Sequence, residues 1–183
     1  KCRRLTREVY SGLTPWERLC GFNTFEALAF RTGDVDMPQN AIPDKASAVC
    51  QIRFVPGSDE SKFLPAIRRH LDGNGYQQVT LEQSRGLMRA TRTEPDHPWV
   101  KWAAASLERT MGARPAVLPN LGGTIPNDVF TEILGMPTIW VPHSYSACSQ
   151  HAPNEHLLAP IVREGLLMMT GLFWDLGEAG TPA

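Results

Sequence analysis

The sequence predicts an α/β protein in two parts, and three observations carry that prediction. Residues 24–92 read as strand, helix and strand in that order. The composition then breaks at Thr93-Glu94-Pro95-Asp96-His97-Pro98, a polar, proline-flanked stretch that separates the two parts. Beyond it, an apolar strand with no polar face, residues 137–141, follows a glycine turn and a short helix. A strand of that kind implies a parallel sheet covered on both faces. The first part, residues 1–94, is expected to be a small α/β sandwich, and the second, residues 95–183, to contain a βαβ unit. Hydrophobic residues make up 42% of 183, enough for a real core in a chain of this length.

Taken in order, Thr14 and Pro15 before Trp16-Glu17-Arg18-Leu19 give a helix cap and a first helical residue. Residues 24–30 are strand-like. Residues 32–43 hold Gly33, Pro38, Asn40 and Pro43 and form a loop. Over residues 47–55, Ala48, Cys50, Ile52 and Phe54 alternate with Val49, Gln51, Arg53 and Val55, the pattern of a half-buried strand. Cys50 is expected inside it as a small buried residue. Phe63, Ile67 and Leu71, four apart, predict an amphipathic helix over 61–71, closed by Gly73-Asn74-Gly75. Residues 76–83 return as a strand, with Val79 and Leu81 on one face, and residues 88–92 extend or follow it. Past the boundary, Val100, Ala104, Leu107 and Met111 stripe a helix over 99–111 that Gly112 stops. Residues 115–118 read as a short strand, Gly122-Gly123-Thr124 as a tight loop, and residues 126–134 as a short helix. Residues 157–176 form a long helix, apolar nearly all round and therefore expected to be buried.

Eighteen basic and 19 acidic residues leave a net charge of -1, which argues against nucleic acid or an anionic membrane surface as a partner. The most apolar stretch, near residues 157–174, is interrupted by Arg163 and Glu164 and does not read as a membrane span. The four cysteines, Cys2, Cys20, Cys50 and Cys148, show no C-x-x-C spacing, so they are expected as free thiols in the cytoplasm. The first residues, Lys1-Cys2-Arg3-Arg4, read as the middle of a longer chain.

Three features hold candidate chemistry. Residues 143–156 gather His143, His151, His156 and Glu155 in a loop after a buried strand, where open α/β sheets place their sites. Imidazoles there suit a zinc ion, with a carboxylate to orient them; equally, they are polar loop residues, with Glu155 set against the dipole of the following helix. Gly122-Gly123-Thr124-Ile125-Pro126 either brings backbone N–H groups to a carboxylate or is only a tight strand-to-helix turn. Asn40, with Arg53 on the next strand, is the third; a guanidinium is the natural bidentate partner of a substrate carboxylate, or a surface arginine on an open sheet face.

The order of these features resembles one metallopeptidase family. Gln39-Asn40-Ala41-Ile42-Pro43, Ala46-Ser47-Ala48 and Ile52-Arg53-Phe54-Val55-Pro56-Gly57 resemble the dimerisation (lid) domain of the zinc hydrolases that include aminoacylase, acetylornithine deacetylase, succinyl-diaminopimelate desuccinylase and the carnosine-type dipeptidases. Pro119-Asn120-Leu121-Gly122-Gly123-Thr124-Ile125-Pro126 resembles their glycine-rich turn, and Gln150-His151-Ala152-Pro153-Asn154-Glu155-His156 their carboxyl-terminal metal motif. The dipeptidase branch is nearest, and the resemblance runs from about Leu13 to Leu176.

The resemblance implies roles. His151 matches a zinc ligand and Glu155 an acidic residue behind it. Asn40 and Arg53 match lid residues that meet the substrate, Arg53 at its carboxylate. Gly122, Gly123 and Thr124 match the turn lining the substrate pocket, with threonine where many members have serine. It implies residues 1–94 as an incomplete α/β-sandwich lid and residues 95–183 as the carboxyl-terminal βαβ part of a catalytic domain. The activity implied is hydrolysis of an amide bond in a small peptide or N-acyl amino acid by an enzyme using one or two Zn²⁺ ions, working as a homodimer through its lid. The family's other metal ligands, its catalytic glutamate and the lid histidine that polarises the scissile carbonyl have no counterpart in these 183 residues. The chain alone is therefore expected to hold no catalytic base, to bind zinc poorly, to be inactive, and to expose strand edges and apolar surface. The alternative is a non-catalytic dimerisation or ligand-binding module.

Overall fold

The computed structural model describes residues 12–83, 86–180 and 182; the first eleven residues, Cys2 among them, lie outside the described residues. The chain divides into two units. One is Lys1–Thr91 with Asn120–Pro126, and the other is Arg92–Pro119 with Asn127–Ala183. The glycine turn thus groups with the first unit rather than with the sequence that flanks it.

In the first unit, helix α1 spans Pro15–Gly21. Thr14 caps it through a reciprocal box: the Glu17 amide donates to Thr14 Oγ1 at 3.2 Å, and the Thr14 amide donates to Glu17 Oε2 at 2.7 Å. Strands β1, Thr24–Thr32, and β2, Ala46–Arg53, pair antiparallel, with a register shift between Ala27 and Ala29. The extra residue, Leu28, is a bulge. The Asn23 carboxamide oxygen accepts from the Val55 amide at 2.9 Å and the Ser58 hydroxyl at 3.0 Å, tying the entry of β1 to the exit of β2. A 3₁₀ turn, Glu60–Lys62, leads into α2, Phe63–Gly73. Phe54 and Phe63 meet edge to face at 5.2 Å, joining the sheet's end to that helix.

The expected strand over 76–83 does not form. Arg68 on α2 donates to the carbonyls of Tyr76 and Val79, and the Val79 amide donates to the Tyr76 carbonyl at 3.2 Å. These bonds fold the segment into a turn on α2 and occupy groups a ladder would need. Cys50, expected buried, is exposed, because nothing among the described residues covers either face of the hairpin along most of its length.

In the second unit, α3 spans Pro98–Met111 and α4 spans Ala159–Ala179. His97 caps α3, its Nδ1 accepting from the Trp99 amide at 3.2 Å, and Gly112 ends it at φ 72°, a left-handed position that favours glycine. The two helices run antiparallel and meet through Ser106, which is fully buried. Its hydroxyl donates to Asp175 Oδ2 at 2.6 Å, and Arg109 Nη2 pairs with the same oxygen at 2.7 Å. Val100, Ala103 and Leu107 of α3 are the buried apolar residues of this contact, and Ile139 and Val141 line the groove beside it with Trp102 and Met169.

The expected βαβ ladder is absent among the described residues; their one sheet is the β1–β2 pair. Residues 137–141 pair with no strand among the described residues; instead the Thr93 hydroxyl donates to the Thr138 carbonyl at 2.8 Å and accepts from its amide at 3.2 Å. Residues 115–118 begin with Pro115 and are followed by Pro119, and neither proline has an N–H to give a ladder. The short helix expected over 126–134 is a single π turn, Val129–Ile133. Helix α4, expected buried all round, leaves Leu166, Leu167, Phe173 and Trp174 58–69% exposed, since α3 covers only one of its sides.

Candidate functional site

The first unit brings two of the sequence features together. Arg53, at the last position of β2, donates from Nη1 to the Gly122 carbonyl at 2.8 Å. Its Nε lies 3.6 Å from Glu26 Oε2. Glu26 sits diagonally across the ladder, because Thr24 is the register partner of Arg53, and the Thr24 hydroxyl donates to Glu26 Oε1 at 3.1 Å. The turn is fixed from its other end: Asn120 Nδ2 donates to the Cys20 carbonyl at 2.7 Å, and Asn120 Oδ1 accepts from the Leu121 amide at 3.0 Å. Neither Gly122 nor Gly123 has a positive φ, so the turn does not need a left-handed residue there, and the nearest atom to a Cβ on Gly122 would be Leu19 Cδ1, 4.0 Å away. A guanidinium held along one edge and at one Nη1 proton still has donors in its plane for a carboxylate. Thr124 belongs to the same segment; Asn40 lies exposed in the loop between the strands.

In the second unit, residues 143–156 form a loop closed by the His156 amide donating to the Cys148 carbonyl at 3.0 Å. His151 is exposed and has φ 62°. Glu155 folds back: its Oε2 accepts from the His151 backbone amide at 3.2 Å. It does not sit in the first turn of α4, which has no acidic residue. His143 turns away onto α4, where a Cβ on Gly165 would lie 2.9 Å from its Cγ; its Nδ1 is buried without a hydrogen-bond partner. The His156 ring binds the Tyr145 hydroxyl at Nε2, 2.5 Å, and the Asn154 carbonyl at Nδ1, 2.8 Å. Cys148 is buried, and the Ser144 hydroxyl, 3.1 Å from its sulfur, holds its thiol below the usual value, helped by the amides of Gln150 and Tyr145.

Among the described residues no three His, Cys, Asp or Glu side chains gather closely enough to hold an ion, whereas a protein zinc site takes about three or four ligands. Sequence reasoning singled out His151, Arg53 and the glycine turn; it did not single out Glu26, and it gave Asn120 and Tyr145 no role of their own. The signal for Glu26 is its cross-strand diagonal to Arg53, visible only once the register is known.

No family model and no curated protein sequence matches the chain. Two solved structures share its fold. A metallo-carboxypeptidase of the M20 family from Sulfolobus solfataricus superposes with a TM-score of 0.69 at 22% identity over 94% of this chain. The dipeptidase Dug1p from Saccharomyces cerevisiae superposes with a TM-score of 0.68 at 19% identity over 88% of this chain. The chain spans 41% and 35% of the lengths of these two proteins. The fold is thus one found in metallopeptidases. Among the described residues no helix is long and apolar enough to cross a membrane.

Proposed function

We propose that these residues are the carboxyl-terminal part of a metal-dependent peptidase that cleaves the amide bond of small peptides or N-acyl amino acids. The observation that carries this reading is the hydrogen bond from Arg53 to Gly122, which joins a carboxylate-binding side chain to the glycine turn. The fold shared with a metallo-carboxypeptidase and a dipeptidase supports the reaction class. Arg53 receives the substrate's carboxylate, the Gly122-Gly123-Thr124 turn and Asn40 line its surroundings, and Glu26 keeps the guanidinium from swinging away. His151 supplies one metal ligand on a loop that Glu155 braces; zinc is the metal an imidazole corner suits, and when bound it would supply Lewis acidity to the amide carbonyl. The remaining ligands and the general base come from outside the described residues. Homodimerisation through the hairpin is part of the same reading, supported by its open strand edges and exposed Phe25 and Phe30. The free thiols of Cys20, Cys50 and Cys148 favour a cytoplasmic setting.

The test is hydrolysis of dipeptides and N-acetyl amino acids by the protein as its gene encodes it, with and without a chelator. Turnover that the chelator abolishes, and that His151→Ala lowers by at least about a hundredfold, is the expected result. Full turnover in the presence of chelator or in His151→Ala would refute the assignment.

A further inference from the structure

We propose that Tyr145 and His156 form a latch that positions His151, an inference that rests on reading His151 as a metal ligand. Ser149, His151 and Asn154 have φ of 58°, 62° and 63°, and none of them is glycine. Residues with a Cβ stay in that region only where their surroundings over-determine it. Backbone bonds supply part of the constraint: the Ala152 amide donates to the Ser149 carbonyl at 2.9 Å and the Glu155 amide to the Ala152 carbonyl at 3.2 Å. The Glu155 carboxylate holds the His151 amide at 3.2 Å, and the imidazole of His156 adds to these constraints, because both of its nitrogens are engaged.

A carbonyl oxygen only accepts, so the contact to Asn154 at 2.8 Å requires a proton on Nδ1. The neutral ring then presents a lone pair at Nε2, and the Tyr145 hydroxyl donates to it across 2.5 Å. The two rings meet edge on, with centroids 5.8 Å apart. Tyr145 precedes His151 and His156 follows it, so the pair closes the loop around the ligand from both limbs. Through Asn154 the same ring grips one of the left-handed residues directly. The alternative tautomer, with the proton on Nε2, would place two acceptors face to face at Nδ1 and break the grip. Tyr145 and His156 act through the loop and are positioning residues.

The experiment is ¹⁵N-resolved NMR of the 183-residue chain, with Tyr145→Phe as the variant; phenylalanine keeps the ring contact and removes only the hydroxyl. In the wild type at neutral pH, His156 should carry its proton on Nδ1, and Ser149, His151 and Asn154 should show couplings of positive φ. In Tyr145→Phe, His156 should become a mixture of tautomers and those three couplings should be lost, while the α3–α4 amide pattern stays. A wild-type His156 protonated on Nε2, or an unchanged loop in Tyr145→Phe, overturns the latch. In the protein as its gene encodes it, Tyr145→Phe should weaken zinc affinity by about tenfold, as loss of an outer support does. Wild-type affinity in that variant also overturns the latch, whereas unchanged affinity in His151→Ala overturns the ligand reading beneath it.

Discussion

Arg53 keeps part of its donor set inside the protein. Nη1 is bound to Gly122 and Nε faces Glu26, so the planar fork is oriented before any ligand arrives. Lysine would keep the charge and lose that orientation. Arg53→Lys is expected to cost roughly tenfold in affinity for an N-acetyl amino acid while leaving its amide-capped form almost unaffected, as a lost charge-assisted bond would; NMR titration of both ligands measures this. Equal losses on the two ligands would show that Arg53 does not read the carboxylate. At this scale the sequence was informative about residue types and silent about partners. Arg53 and Gly122 stood out singly, because a strand arginine and a double glycine each have few uses. Their bond joins residues 69 positions apart, and no local pattern reports such a contact. The Leu28 bulge shifts the ladder register, which hid Glu26 as well. The loop around His151 was legible as a polar cluster but not as a structure, since its left-handed residues are not the glycines that usually announce such turns.

Helices were the legible elements. Capping residues and apolar stripes are local, and α1, α2 and α3 follow them; α4 follows a long apolar run without a side-chain cap, and the short helix expected over 126–134 is a single π turn. Strands were legible only where both members of a ladder lie in the described residues: β1 and β2 formed, while residues 76–83 and 137–141 took side-chain partners in place of a neighbouring strand. The α3–α4 pair gives two tests. Gly171 lies against Thr110, where an added Cβ would come within 2.9 Å of Cγ2 and 3.0 Å of Cβ. Gly171→Ala should therefore destabilise the second unit by about 1–3 kcal/mol, read by thermal melting, and Thr110→Ala in the same chain should restore most of the loss. The second test is pH. The Ser106 hydroxyl, and after it the Arg109 guanidinium, hold Asp175 below its ordinary value of 3.8. A depressed carboxylate contributes stability that is full above 3.8 and is lost as pH falls through its folded-state value. Acid unfolding followed at α3 and α4 should show that loss in the wild type. Asp175→Asn should be less stable at neutral pH and flatter in the acid range; identical acid profiles would remove Asp175 from the account.

Across the whole molecule, the described residues leave much apolar surface in water. Val35 and Ile42 are 92% and 95% exposed, Phe30 is 70% exposed, and Phe173 and Trp174 are each 69% exposed. Burying a large apolar side chain stabilises by about 1.5–3 kcal/mol, so surfaces of this kind favour a cover. The purified 183-residue chain should accordingly associate as its concentration rises in sedimentation velocity; a monodisperse monomer at all concentrations would contradict this. The central claim is that these residues hold a carboxylate-binding arginine and one metal ligand, but not a working site. Zinc calorimetry on the purified 183-residue chain, run beside a dipeptide hydrolysis assay, tests it most directly. The account predicts no sub-micromolar zinc binding and no turnover, because one imidazole falls short of the roughly three protein ligands a catalytic zinc needs. Sub-micromolar binding that His151→Ala abolishes, together with turnover, would mean that the site is complete within this chain and would contradict the account.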